Sequence, residues 1–319
     1  MDAATLPAKD SAKNSIRSHR KSKSVIERVM YLIFVVCAFC AVVAVGAITI
    51  YMVISGVPAL KEVGIADILF GTEWLPTAEN PKYGILYIIL TSIIGTSLAI
   101  LIGVPIAVLA AVFLSEIASK KVAAVVKPAV ELLAGIPSVV YGLLGILILK
   151  PVIYKLELFL FRDDPTHQMT GGANLISAVL VLAIMILPTV VNVSETALRA
   201  VPQDYRNSSL ALGASKIQTI FKVTLPAAKS GIATAIVLGV GRAIGEAMAI
   251  VMVAGNSVNL PAPFNSVRFL TTAIVSEMSY SEGTHRQVLF TIGLVLFIFI
   301  IVINIILNTV LKKGGERHD

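Results

Sequence analysis

The chain has 319 residues, 56% of them hydrophobic and only 14% charged, and a mean hydropathy of +0.88. Soluble domains carry nearly twice that charged fraction, and here the apolar residues are gathered into runs, so a soluble enzyme is excluded and the bilayer is the solvent. The net charge of +7 invites a nucleic-acid reading, but the basic stretch KNSIRSHRKSKS stands directly before an apolar run. Basic residues in that position meet anionic headgroups, so membrane lipid is the expected partner and nucleic acid is not.

Residues 1–28 read as a basic tail, with its Ser-, Lys- and Ala-rich beginning expected to be disordered. Six segments then approach or exceed the roughly 20 residues needed to cross the hydrocarbon core. They lie near 29–54, 84–114, 128–149, 174–195, 230–254 and 287–311. The first is too long for a cleaved signal and lacks an A-x-A-like site, so it reads as a retained anchor helix. Cys37 and Cys40 fall inside it, with no second cysteine pair and no nearby histidine, and read as packing residues. Trp74, in the loop 55–83, reads as an interfacial anchor. With the N-terminus inside, the inner segments hold 18 Lys and Arg and the outer segments 7. That bias fits the positive-inside rule and predicts an all-α polytopic membrane protein, six-span, with both termini cytoplasmic, 312–319 forming the second tail.

Within the third span Glu131 has no identifiable partner and is a further candidate for the substrate path, against the favoured reading of a structural kink, since Gly135, Pro137 and Gly142 predict a bent or closely packed helix. The inner loop 196–229 reads as two short helices. Pro202 suits a first helical turn, Asp204 favours the positive end of the helix dipole and Gly213 suits a left-handed C-terminal cap. Ser215 and Gln218 have capping-box spacing, and Pro226 is expected to stop the second helix. Ile217, Ile220, Phe221 and Thr224 are expected on one face. Such a hairpin either docks another protein, through small residues such as Asn207, Ser208, Ser209 and Ala211, or lies on the bilayer.

This loop resembles the EAA loop of ABC-importer permeases, E-A-A-x3-G-x9-I-x-L-P. Aligned on Gly213, the chain has Asn207-Ser208-Ser209, Gly213 followed by Ala214 and Ser215, and Val223-Thr224-Leu225-Pro226 at the matching spacing. The leading Glu and both Ala are replaced, so the Glu contact is not carried over to Asn207, whereas Gly213, Leu225 and Pro226 match. LLAGIPSVVYGLLG at 132–145 and GVGRAIGEAMA at 239–249 are similar to the phosphate-transport (Pst) permeases, and the FGTEWLPT loop with its basic N-terminus resembles the PstC-type subunit. The resemblance implies a MetI-like helical core in a bacterial or archaeal plasma membrane. It also implies a PstA-type permease partner, two PstB-type ATPases and a PstS-type phosphate-binding protein. The chain has no G-x-x-x-x-G-K-[ST] loop, so ATP and Mg²⁺ are expected in the ATPase, with no cofactor on this chain.

The fifth span carries Arg242 near its middle and Glu246 one helical turn on. Two readings stand: a buried structural ion pair, or part of an anion path in which the guanidinium fork meets two phosphate oxygens. The glycines around them fail as a dinucleotide fingerprint, for want of a preceding strand, and are expected to let helices approach. The function expected is the permease subunit of an ATP-driven phosphate importer. A permease for another oxyanion and an ion-coupled secondary carrier are the alternatives, the latter lacking an internal repeat to support it.

Overall fold

No glycine or proline interrupts residues 8–45, and the chain is helical throughout α1 (Ala8–Glu62). The computed structural model describes the backbone of residues 8–313 and the side chains of residues 27–307 and Thr309. The tail expected to be disordered is thus helical from Ala8 onward, as its alanines, lysines and arginines favour helix and extend an apolar helix already formed. Residues 1–7, and most of the tail at 312–319, lie outside the described backbone. The apolar stretch of α1 buries none of its residues, Cys37 and Cys40 included.

A short α2 (Ile65–Phe70) leads into a hairpin of β1 (Trp74–Leu75) and β2 (Lys82–Tyr83), with Trp74 opposite Tyr83. The long α3 (Leu86–Val112) ends in a π turn, Phe113–Ile117. Then come α4 (Lys120–Gly135), α5 (Ser138–Leu144), a second π turn and α6 (Lys150–Leu160). Next is α7 (Leu175–Arg199), followed by α8 (Gln203–Ala211). The hairpin's second arm is α9 (Lys216–Thr219), a π turn and α10 (Leu225–Ala227). The chain finishes with α11 (Lys229–Gly245), α12 (Met248–Val253), α13 (Leu270–Glu277) and α14 (Gly283–Lys313).

Four of these helices are long and apolar enough to cross a membrane alone, and two bent pairs bring the number to six. The expected third span is one such pair, bending by 102° between α4 and the helix Ser138–Leu160. Ile136 and Pro137 are extended there, because proline cannot accept a helical neighbour before it. The expected fifth span is also broken: α11 stops at Gly245 and the chain resumes as α12. A 69° bend separates α11 from the segment before it.

The direction of the core helices shows that each broken segment crosses once. Gly95 of α3 lies against Leu175 and Gly103 against Ile186, so α3 and α7 run parallel. The α4–α6 segment must therefore return the chain between them. Likewise α14 begins at the end holding Trp74 and Tyr83, whereas α7 finishes at the other, so α11–α12 makes the next return.

Lipid is as apolar as leucine, so helices here must pack by close fit instead of by expelling water. On α3 the residues Gly95, Ala99, Gly103, Ala107 and Ala111, spaced every four, are all buried. A Cβ on Gly103 would sit 2.7 Å from Ile186 Cδ1 and 3.0 Å from the Ala183 carbonyl, so α7 packs against bare backbone. Val190, Val191, Ile232 and Ala235 continue this core between α7 and α11.

Candidate functional site

Two helix breaks meet in the fold. A Cβ on Gly142 of α5 would lie 3.0 Å from the Ala249 Cα of α12, so these segments, each just beyond its break, are in backbone contact. Broken helices leave carbonyl and N–H groups that lipid cannot satisfy. At the first break Tyr141 Oη donates to the Leu133 carbonyl at 2.8 Å. At the second, Thr271 Oγ1 donates to the Glu246 carbonyl at 2.7 Å, and Glu246 Oε1 accepts from the Ala249 backbone N–H at 3.0 Å. The side chains that allow the breaks are thus drawn from α5, α13 and the break itself.

Arg242 lies in the last turn of α11, half-buried beside these groups. Its Nη1 donates to Thr189 Oγ1 on α7 at 3.3 Å, and it is near enough to act electrostatically on Tyr141. The expected one-turn pairing with Glu246 does not form. Glu246 is extended (φ −74°, ψ 130°), off the face that carries Arg242, and its carboxylate turns to α12. Among the described residues Arg242 has no carboxylate within ion-pair distance. Of the glycines expected to admit neighbours, Gly239 does so, with Val190 Cγ2 2.5 Å from a Cβ built there, whereas Gly241 and Gly245 face open space. Glu131 is not brought to this cluster. It stands on the exposed surface of α4, a helix none of whose residues is buried.

The hairpin at 200–228 follows its local signals closely. Gly213 has φ +84°, a value open to glycine without strain. Its N–H donates to the Leu210 carbonyl at 3.0 Å and that of Ala214 to Ser209 at 3.2 Å, closing α8 with a Schellman pair. The Ser215–Gln218 capping box forms. Pro226 sits in the first turn of α10, and the second arm runs on to Ala227. The expected apolar face is split by the π turn: Ile220 and Thr224 are buried, whereas Ile217 and Phe221 are exposed. Asn207 and Ser208 are exposed, Ser209 Oγ meets Thr219 Oγ1 at 2.9 Å across the two arms, and Leu225 is half-buried. Leu212, 89% exposed, and Ile217, 69% exposed, stand at the tip with Tyr205 and Leu210 behind them.

Several charged groups escaped the sequence reading. Arg206 of α8 grips Glu116 with Nε at 3.2 Å and Nη2 at 2.7 Å, and donates to the Leu198 and Val201 carbonyls at 2.8 and 2.6 Å. Both side chains are nearly buried, at 12% and 9% exposure. Removing one partner of such a pair costs about 3–5 kcal/mol, since the other charge is left unpaired. Buried Glu195 of α7 pairs with Lys127 of α4 at 3.2 Å and with Arg199. The Glu195–Arg199 spacing of four was the one local signal in this set.

At the other end of the bundle two buried carboxylates hold the loops. Glu277 accepts from Trp74 Nε1 at 3.1 Å, from His285 at 2.8 Å and from Arg268. Trp74 is thereby a buried hydrogen-bond donor and not the interfacial anchor expected of it. Partial desolvation, and then the charge of nearby Glu277, raise the Tyr280 hydroxyl above its ordinary pKa. Glu157 accepts from the Thr170 and Gly172 N–H groups at 2.8 and 3.3 Å and pairs with His167 at 3.0 Å.

The family described as "binding-protein-dependent transport system inner membrane component" matches residues 103–313. A Bacillus subtilis protein named as a probable ABC transporter permease, YqgH, is 38% identical, covering 90% of this chain and 92% of its own length. The phosphate transport system permease protein PstC of Pasteurella multocida is 33% identical, covering 78% of this chain and 82% of its own. A solved structure of the MetNI methionine ABC transporter matches 72% of this chain and 94% of its own at 17% identity and a TM-score of 0.46. A multi-pass helical membrane protein with this family match and these relatives is a permease subunit of an ABC importer, and the chain belongs to the binding-protein-dependent transport system inner membrane components.

Proposed function

We propose that the chain is the PstC-type subunit of an ATP-driven importer and forms half of a path for inorganic phosphate. The observation that carries the reading is Arg242, a half-buried guanidinium in a membrane-crossing segment whose only side-chain hydrogen bond among the described residues is to the neutral Thr189 hydroxyl. A cation left without a counter-charge at that depth is costly, and an anion passing between the two helix breaks would offset the cost. The guanidinium presents paired donors to two phosphate oxygens. Glu246 keeps Oε2 without a hydrogen bond among the described residues. That oxygen can accept from a protonated phosphate oxygen, a donor that sulfate lacks at neutral pH. The PstC relatives named for phosphate transport support the same cargo.

The hairpin is the docking surface for the ATPase, through the apolar side chains at its tip. It lies on the cytoplasmic side with both termini, in a bacterial or archaeal plasma membrane. A PstA-type permease covers the exposed face of α4, two PstB-type ATPases bind ATP and Mg²⁺, and a PstS-type protein delivers phosphate from outside. The chain itself hydrolyses nothing and holds no cofactor.

The test is uptake by the reconstituted complex. Arg242→Gln is expected to abolish ATP-driven phosphate uptake while the subunits still co-purify. Normal phosphate flux in that variant would overturn the role of Arg242. Uptake of sulfate equal to that of phosphate by the unaltered complex would move the assignment to a different oxyanion.

A further inference from the structure

The ATPase-docking arm α8 has no buried residue of its own. Its nearly buried Arg206 has a guanidinium that joins two helices at once: Glu116 in the turn that ends α3, and the Leu198 and Val201 carbonyls at and just beyond the end of α7. A polar cleft lined by Ser115, Glu116, Arg199, Gln203 and Arg206 lies beside this junction. The other end of the link is on the same helix. Thr189 of α7, which holds Arg242 at 3.3 Å, lies nine residues before Leu198, about 14 Å along the helix axis. Buried Glu195, between them on α7, pairs with Lys127 and so ties α4, the first half of one broken span, to the same helix.

We propose that Arg206 is the positioning residue that converts displacement of the docking hairpin into movement at Arg242, acting through α7. The proposal rests on the reading of the chain as a permease driven by a separate ATPase. A push on α8 passes through the Arg206 fork to the C-terminal end of α7. A hydrogen-bonded helix is stiff along its axis, so the shift arrives at Thr189 and changes what Arg242 faces. The planar fork makes the link directional, holding Glu116 and two carbonyls in one geometry that a lysine ammonium does not reproduce. Motion of the hairpin without this link turns over ATP without moving the path.

The measurement is the number of ATP molecules hydrolysed per phosphate imported. It is made on proteoliposomes holding the whole complex, with its binding protein and inorganic phosphate outside. The unaltered complex, Arg206→Lys, Glu116→Gln and the double variant are compared. Arg206→Lys is expected to raise the ratio roughly fivefold or more, and the double variant to be no worse than the more severe single one, because both break the same link. A purely structural role predicts a different result: fewer intact complexes lower uptake and hydrolysis together, leaving the ratio unchanged. Where Arg206→Lys fails to assemble, Glu116→Gln, which removes the carboxylate that orients the Arg206 fork against α7, gives the same reading. An unchanged ratio in every variant that assembles overturns the proposal and leaves the transport reading standing. Uptake by the unaltered complex without ATP hydrolysis overturns both.

Discussion

At the scale of single residues, the site is built by groups that compensate for irregular backbone. Thr271 donates to the Glu246 carbonyl, which a continuous helix would have satisfied, and Tyr141 to that of Leu133, which Pro137 with its missing N–H could not satisfy. Tyr141→Phe removes one of the two donors to the Leu133 carbonyl, leaving the Ile136 N–H at 3.3 Å, a loss of about 0.5–1.5 kcal/mol. The thermal midpoint of the purified complex is expected to fall, and an unchanged midpoint would mean that water replaces the hydroxyl. Arg242 and Glu246 were legible in sequence as charges in an apolar run, but their partnership was not. The one-turn spacing assumed helix through Gly245, and the helix ends there. Nor could Thr189 be found as the partner of Arg242, since it is 53 residues away in the chain.

At the scale of elements, legibility followed locality. The capping box, the left-handed glycine and the proline bend depend on a few adjacent residues, and all three were readable from them. The break after Gly245 has no proline to announce it, and apolar residues continue on both sides, so hydropathy ran 230–254 together as one span. The π turn at Ile220–Thr224 shifts the helical register and separated residues that ideal periodicity had put on one face. The α5–α12 contact gives an element-level prediction. A Cβ at position 142 would come within 2.6 Å of Met252 Sδ as well as meeting Ala249, so Gly142→Val is expected to force the two segments apart. Uptake should fall about tenfold or more, because overpacking by 1–3 kcal/mol is placed directly between the breaks. Full uptake in that variant would show that α5 and α12 need not touch during transport.

At the scale of the whole molecule, the proposed assembly can be tested on the surface that the fold leaves bare. The hairpin tip proposed to dock the ATPase is the sharpest case: Leu212→Asp combined with Ile217→Asp is expected to reduce ATPase co-purification about tenfold, since two exposed apolar side chains are replaced by charges. Retention of the ATPase at the unaltered level would place its main contact elsewhere. Hydropathy sufficed to locate the apolar segments, but not to find the ion pairs that join them. Glu116 and Arg206 are 90 residues apart, and Trp74 and Glu277 are 203 apart. The second separation bears on how the protein is made. Synthesis runs from the N-terminus, so Trp74 leaves the ribosome long before Glu277 and His285 exist. The Trp74–Glu277 bond must therefore wait until α13 has been made, and only with the first turn of α14 can that single carboxylate hold Trp74, Arg268 and His285 together. Completion of that cluster therefore comes late in synthesis, after nearly all of the chain has been made.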